Sequence, residues 1–262
     1  MDPESHIWAW PQPIPLQLDA LASRRFGPHL RHLRVSELLV DLEVPVESIR
    51  SYWDAFYRAN RGPQSLLHES PFAAWTAERL EEGSQVLDFG CGTGRDSMYF
   101  ASLGHLVTGF DCSAEAIEIA RREATTRGHP AHFEVLDLAD LEIARTKVEL
   151  SVAEDVPTSC YARFLLHATG NVERNNLLEI SASVLGQGGL LFLEFRTVDD
   201  ARTMHAYGEK HFRNYLRPDL VREEIVEHGG KVLSCEENRG LAPFEGEDPV
   251  ICRLVATWRG PA

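Results

Sequence analysis

From Gly83 onward, short apolar runs alternate with helical segments, and this alternation limits the possible folds more than any other property of the chain. The runs are QVLDFG at 85–90, HLVTGFD at 105–111, AHFEVLD at 131–137, residues 158–163, and GLLFLEFRT at 189–197. Between them lie a helix through 97–103, the segment SAEAIEIARREATTRG and the segment NVERNNLLEISASVLG. Ser113 stands where an N-cap is wanted, and Gly128 lies just past the end of its helix. Strands separated by helices of such length form βαβ units and a parallel sheet, so the fold class is α/β and doubly wound. A last helix, RPDLVREEIVEHGG, precedes KVLSCEEN and PVICRLVATW. No helix separates those two strands, so they pair antiparallel at one edge. Residues 138–156 show no clear period, and the stretch leaves room for an insertion.

The chain before Gly83 reads differently. Residues 1–14 are rich in Pro and Trp and cannot form regular helix. Apolar positions such as Leu30, Leu33, Val35, Leu38 and Leu39 then recur at helical spacing, which predicts one or two helices over 16–44. A further helix is predicted over 46–60, with Tyr52, Trp53, Phe56 and Tyr57 as an aromatic stripe. The expected organisation is an extension over 1–50, partly helical, and a catalytic-size domain over 51–262.

Charge narrows the partners. The 262 residues carry 40 acidic against 26 basic side chains, a net −14, with no Lys/Arg run. A nucleic acid or an anionic membrane calls for a basic face, so neither is expected as a partner. The five cysteines are odd in number and form no CxxC pair, which predicts neither a disulfide framework nor a zinc site. The N-terminus lacks a basic stretch followed by an apolar one, and no run approaches the roughly 18 apolar residues of a membrane span. A cytoplasmic setting is expected. The sequence does not define the oligomeric state.

The first strand runs into Asp88-Phe89-Gly90-Cys91-Gly92-Thr93-Gly94. In open α/β sheets ligands bind outside the carboxyl ends of the strands, and glycines there let a ligand approach the backbone. The spacing is GxGxG, with Arg95 where a dinucleotide turn would carry its third glycine, and no Lys-Ser or Lys-Thr follows as in a phosphate loop. Asp88 would repel a pyrophosphate and welcome a cation. Asp111 ends the second run, where a ribose diol needs a bidentate acceptor, and Asp137 ends the third, where an adenine amino group could donate to it. A Rossmann-like domain for another nucleotide is the alternative.

VLDFGCGTGRDS, VTGFDCS and VLDL resemble the first three motifs of the class I S-adenosylmethionine-dependent methyltransferases. The resemblance covers roughly residues 52–258. It implies strand order 3-2-1-4-5-7-6 with strand 7 antiparallel, and S-adenosylmethionine as cofactor. It implies that Asp88 and the backbone of Gly90, Cys91, Gly92 and Gly94 hold the methionine part. Asp111, with Cys112 beside it, would take the ribose, and Asp137 with Leu138 the adenine. The lead-in YWDAFYRANRGPQSLLHESPFAAW is similar, more loosely, to that of bacterial small-molecule methyltransferases near the thiopurine and tellurite-resistance groups, including polysaccharide and natural-product tailoring enzymes. It implies a lid over the cofactor made by the aromatic helix, chiefly Tyr52, Trp53 and Tyr57, and by the Ser70-Pro71-Phe72 turn. Core packing is the other reading of the stripe.

Methyl transfer to oxygen usually needs a base. The Asn/Asp-Pro-Pro-aromatic motif of base-amino methylation is absent, and Tyr161-Ala162-Arg163-Phe164-Leu165-Leu166-His167 stands in its place. Arg163 ends the fourth strand and is expected to face cofactor or substrate. Glu194 and Arg196 alternate onto one side of the fifth strand, so they need partners or a pocket. The following segment holds His205, Tyr207, His211, Arg213, Tyr215 and Arg217. His205 and His211 are the candidate bases, with His167 and Arg196 as further catalytic candidates. Arg163, Arg196 and Arg213 predict a small anionic acceptor such as a sugar, nucleotide-sugar or natural-product intermediate. No metal-binding pattern is seen. The alternatives are a regulator or partner protein that keeps the cofactor site, other chemistry on that cofactor, and a protein or RNA methyltransferase.

Overall fold

The computed structural model describes residues 46–59, 68–186, 188–201, 212–244 and 246–258. The segments expected at 1–14 and 16–44, and the candidates His205 and His211, lie outside the described residues. Two helices come first, α1 (Val46–Ala59) and α2 (Pro71–Ala77). Then follow β1 (Gln85–Phe89), α3 (Arg95–Ser102), β2 (Leu106–Asp111), α4 (Ala114–Arg127), β3 (His132–Val135) and α5 (Leu141–Ser151). The second half contains β4 (Thr158–Arg163), α6 (Asn171–Leu185), β5 (Leu190–Arg196), α7 (Pro218–Glu227), β6 (Lys231–Asn238) and β7 (Ile251–Thr257).

The seven strands lie in the order β3-β2-β1-β4-β5-β7-β6. The first five are parallel, and β7 runs antiparallel between β5 and β6. This is the order implied by the motif resemblance, with the closing pair at one edge as the missing helix requires. Both faces of the central strands are covered, so their side chains are apolar on both sides. Leu87 and Phe89 of β1 join Leu191, Leu193 and Phe195 of β5 under α5, α6 and α7. Val86 meets Phe192, Tyr161 and Val255 on the opposite face, under Phe72 of α2 and Phe100 of α3. A smaller cluster of Met98, Ile117, Ala120 and Phe133 fixes α4 against the β3 end.

The capping chemistry of α4 is as the sequence predicts. The Ser113 hydroxyl accepts from the Ala116 amide, and Gly128 takes φ +70° at the far end. The stretch 138–156, without a clear period in the sequence, holds a helix, α5, capped by the Asp140 carboxylate accepting from the Ile143 amide. Its period was hidden because only Ala144 and Val148 are buried, while Ile143 and Leu150 face outward. The third strand also ends early, at Val135, so Asp137 lies in the loop beyond it. Among the described residues no helix is long and apolar enough to cross a membrane.

Candidate active site

The carboxyl ends of β1, β2 and β4 open into a cavity of about 340 Å³, and α1 lies across it. The glycine turn forms its floor. Gly90 and Cys91 donate to the Phe110 carbonyl, which ties the turn to β2. Gly90 and Gly92 have φ of +71° and +55°, a region side chains rarely adopt. A Cβ on Gly90 would come within 2.9 Å of Leu165, and one on Gly92 within 2.7 Å of the Tyr57 hydroxyl. Gly94 does not line the cavity; it starts α3 at φ +82°, packed on the Phe133 ring.

The three acids predicted from the sequence, Asp88, Asp111 and Asp137, all line this space. Asp88 is buried and accepts from the Ser97 hydroxyl at 2.5 Å. Burial, reinforced by Asp96 and Asp111, pushes its carboxyl up to about 7. Asp111 accepts from the Gly92 and Ser113 amides, each at 2.9 Å, so one carboxylate fixes both the turn and the α4 cap. Burial raises it to about 6 against those two bonds. Asp137 accepts from the Ala139 amide at 3.0 Å and, with Leu138 and Cys112, lines the same end. A cation bound beside Asp88 or Asp111 would favour the ionised carboxylate against this burial.

The other end of the cavity is built by β4, β5 and the β6–β7 loop. Arg163 pairs with Glu194 at 3.0 Å and lies 4.1 Å over the Phe164 ring. Glu194 is fully buried and also holds Arg253 at 2.9 Å. Arg196 is paired with Asp200 at 2.7 Å and Glu247 at 2.5 Å. Glu194 and Arg196 thus find the partners their alternation demanded, and Arg196 still lines the cavity. His167 and Arg213 line it as well. The Arg213 guanidinium is held below its usual range by burial and by Arg196 nearby. The cavity therefore gathers Arg163, Arg196, Arg213 and His167, as the sequence suggested. It also uses Phe164 and Phe212, which the sequence does not single out. Phe244 and Glu247 reach it from the β6–β7 loop, which the sequence allows either as a border of the acceptor pocket or as a simple hairpin.

Helix α1 covers the cavity with Ile49, Trp53, Phe56 and Tyr57. The Trp53 indole donates to the Ala168 carbonyl at 3.1 Å. The Ser113 hydroxyl donates to Asp54 at 2.7 Å, so the helix is fastened at both ends of the cavity. Tyr52 does not line it; its hydroxyl accepts from the Phe212 amide at 3.4 Å, beside the wall. The Ser70-Pro71-Phe72 turn corrects the lid expectation. Ser70 is locked to Asp96 by two hydrogen bonds of 2.7 and 2.9 Å, and Phe72 is fully buried against Tyr161. That turn is part of the core because its residues cap α2 and fill the sheet face behind β1.

A methyltransferase-domain family model matches residues 86–189. The ubiquinone biosynthesis O-methyltransferase of Haemophilus ducreyi is 31% identical over 196 residues, which span 66% of this chain and 78% of that protein. The chain is a class I S-adenosylmethionine-dependent methyltransferase. The malonyl-[acyl-carrier protein] O-methyltransferase of Pectobacterium atrosepticum is 34% identical over 93 residues, 34% of this chain and 37% of that protein. A solved structure concerned with the conversion of a disulfide bond into a thioacetal group during echinomycin biosynthesis shares the fold. Its TM-score is 0.61 at 24% identity, over 80% of this chain and 94% of the other. S-adenosylmethionine, when bound, supplies a methyl group on a sulfonium. The cavity fits that cofactor: a glycine turn at Gly90 and Gly92 that leaves no room for a Cβ, and buried Asp88 and Asp111 carboxyls, raised by burial, that a cationic ligand would favour ionised.

Proposed function

We propose that this methyltransferase methylates an oxygen or nitrogen of a small anionic acceptor bound at the Arg163–Arg196–Arg213 end of the cavity. In this reading the methionine part of the cofactor lies over Gly90, Cys91 and Gly92 beside Asp88. The ribose hydroxyls meet Asp111, and the adenine lies against Cys112, Asp137 and Leu138. Trp53 closes over it from α1, and Arg163 stands between cofactor and acceptor. The acceptor then approaches from the β4–β5 side, and alignment of the two is the protein's main contribution.

The observation that carries the anionic acceptor is that Arg163, Arg196 and Arg213 all line the same cavity, so an acceptor anion there would meet three guanidiniums. The relatives' names support an oxygen as the methylated atom, since two of them are O-methyltransferases. The test is incubation with labelled cofactor and a panel of sugar phosphates, nucleotide sugars and carboxylic acids beside neutral analogues. Transfer should favour the anions. Arg213→Ala should raise the acceptor KM about 10- to 100-fold, the worth of one charge-assisted hydrogen bond, with cofactor affinity unchanged. Equal use of neutral analogues would overturn the reading.

A further inference from the structure

His167 has a fixed tautomer. Its Nδ1 accepts a hydrogen bond of 3.1 Å from the Arg196 backbone amide. A backbone N–H can only donate, so Nδ1 bears the lone pair and the neutral ring carries its hydrogen on Nε2. To serve as a base, the ring would have to present an unprotonated Nε2. That requires the hydrogen on Nδ1, where it would face the Arg196 N–H.

The surroundings hold the ring in this orientation. Phe164 has φ +58°, an unusual conformation for a bulky residue, and it turns the chain sharply off β4. Its own amide donates to the Glu194 carbonyl at 2.7 Å, and the Asn214 amide donates to the His167 carbonyl at 2.6 Å. The His167 and Phe164 rings meet edge-on at 5.1 Å. The Arg163 and Arg196 guanidiniums lie 4.1 and 5.6 Å from the centre of the same Phe164 ring. The corner therefore joins an N–H donor to two cations around one aromatic side chain, all set before any acceptor arrives.

We propose that His167 is an acceptor-binding hydrogen-bond donor, its Nε2–H directed to an oxyanion of the acceptor, and that it is not the general base. This rests on the anionic-acceptor reading above and names the part of the anion that is read. When that oxyanion is itself the nucleophile, its lone pair forms the new O–CH3 bond. The S–CH3 bond breaks and its electron pair stays on sulfur. No proton leaves, so a base has no task in the step.

The full chain, labelled with 15N-histidine and saturated with S-adenosylhomocysteine, reports this directly in long-range proton–nitrogen correlation spectra. His167→Gln, which keeps an N–H donor, assigns the signal. The expected result is the Nε2–H tautomer for His167, with its proton signal moved by benzoate and by phenyl phosphate but not by benzyl alcohol. Calorimetry should show the two anions bound about tenfold more weakly by His167→Leu and with undiminished affinity by His167→Gln. A ring protonated on Nδ1 overturns the proposal. So does anion binding that depends on Arg213 yet leaves His167 unmoved, in which case the anionic-acceptor reading stands alone. Failure of both anions to bind would overturn that reading and the proposal with it.

Discussion

Asp88 and Asp111 make the cofactor end sensitive to pH, and the sign follows from the direction of their shifts. Their carboxyls rise from an ordinary 3.8 to about 7 and about 6 when no cation is present. A raised carboxyl favours the folded state fully below its unfolded value, and that contribution is lost as pH rises through the folded value. The unliganded protein should therefore lose stability between about pH 4 and pH 7, with Asp88 alone responsible for about 4 kcal/mol at most. A bound cation works the other way, because it prefers both carboxylates ionised. Affinity for S-adenosylmethionine should fall as pH drops from 8 to 5.5, and calorimetry at the two values measures it. In Asp88→Asn the pH dependence should flatten. An unchanged slope in that variant would remove Asp88 from the methionine end.

The β1–α3 turn depends on Gly94 as much as on the glycines that touch the cavity. Its φ of +82° is costly for any side chain, and a Cβ would approach the Phe133 ring to 2.7 Å. Gly94→Ala should cost about 1–2 kcal/mol from the left-handed backbone alone, with the clash added to it, measured by urea unfolding. Such elements were legible because local chemistry specifies them: the GxGxG turn, the acids in or just past successive strands, and the Ser113 and Gly128 caps of α4. Helix α5 was not legible, because two buried residues do not make a period. The acceptor end was legible as Arg and His residues and as a β6–β7 loop that could border the pocket or be a plain hairpin. Phe164 and Phe212 reach the cavity only through the way the elements come together, and nothing in their own neighbourhoods marks them. The same is true of the Ser70-Pro71-Phe72 turn, whose place in the core comes from Asp96 and Tyr161 far along the chain.

Arg163, Glu194 and Arg253 stand directly opposite one another on β4, β5 and β7, so one buried ion group crosses three adjacent strands. Burial raises the Glu194 carboxyl even with two guanidiniums beside it, which marks the group as costly to bury. Glu194→Gln leaves both cations without their shared charge and should destabilise the fold by about 3–5 kcal/mol, read as a lowered urea midpoint with unchanged slope. A loss within experimental error would show that the group adds nothing to the folded state. The position of β7 gives this group a role in assembly. β7 must enter between β5 and β6, and both of those precede it in the chain. Until it does, Glu194 has Arg163 on one side and no Arg253 on the other. A shift of β7 by one residue would turn Arg253 to the opposite face and leave it buried without a carboxylate. The last strand can therefore be accepted in one alignment only, and the same insertion that completes the sheet brings the β6–β7 loop, with Phe244 and Glu247, to the cavity wall. A chain leaving the ribosome has no finished acceptor site until β7 is seated in register.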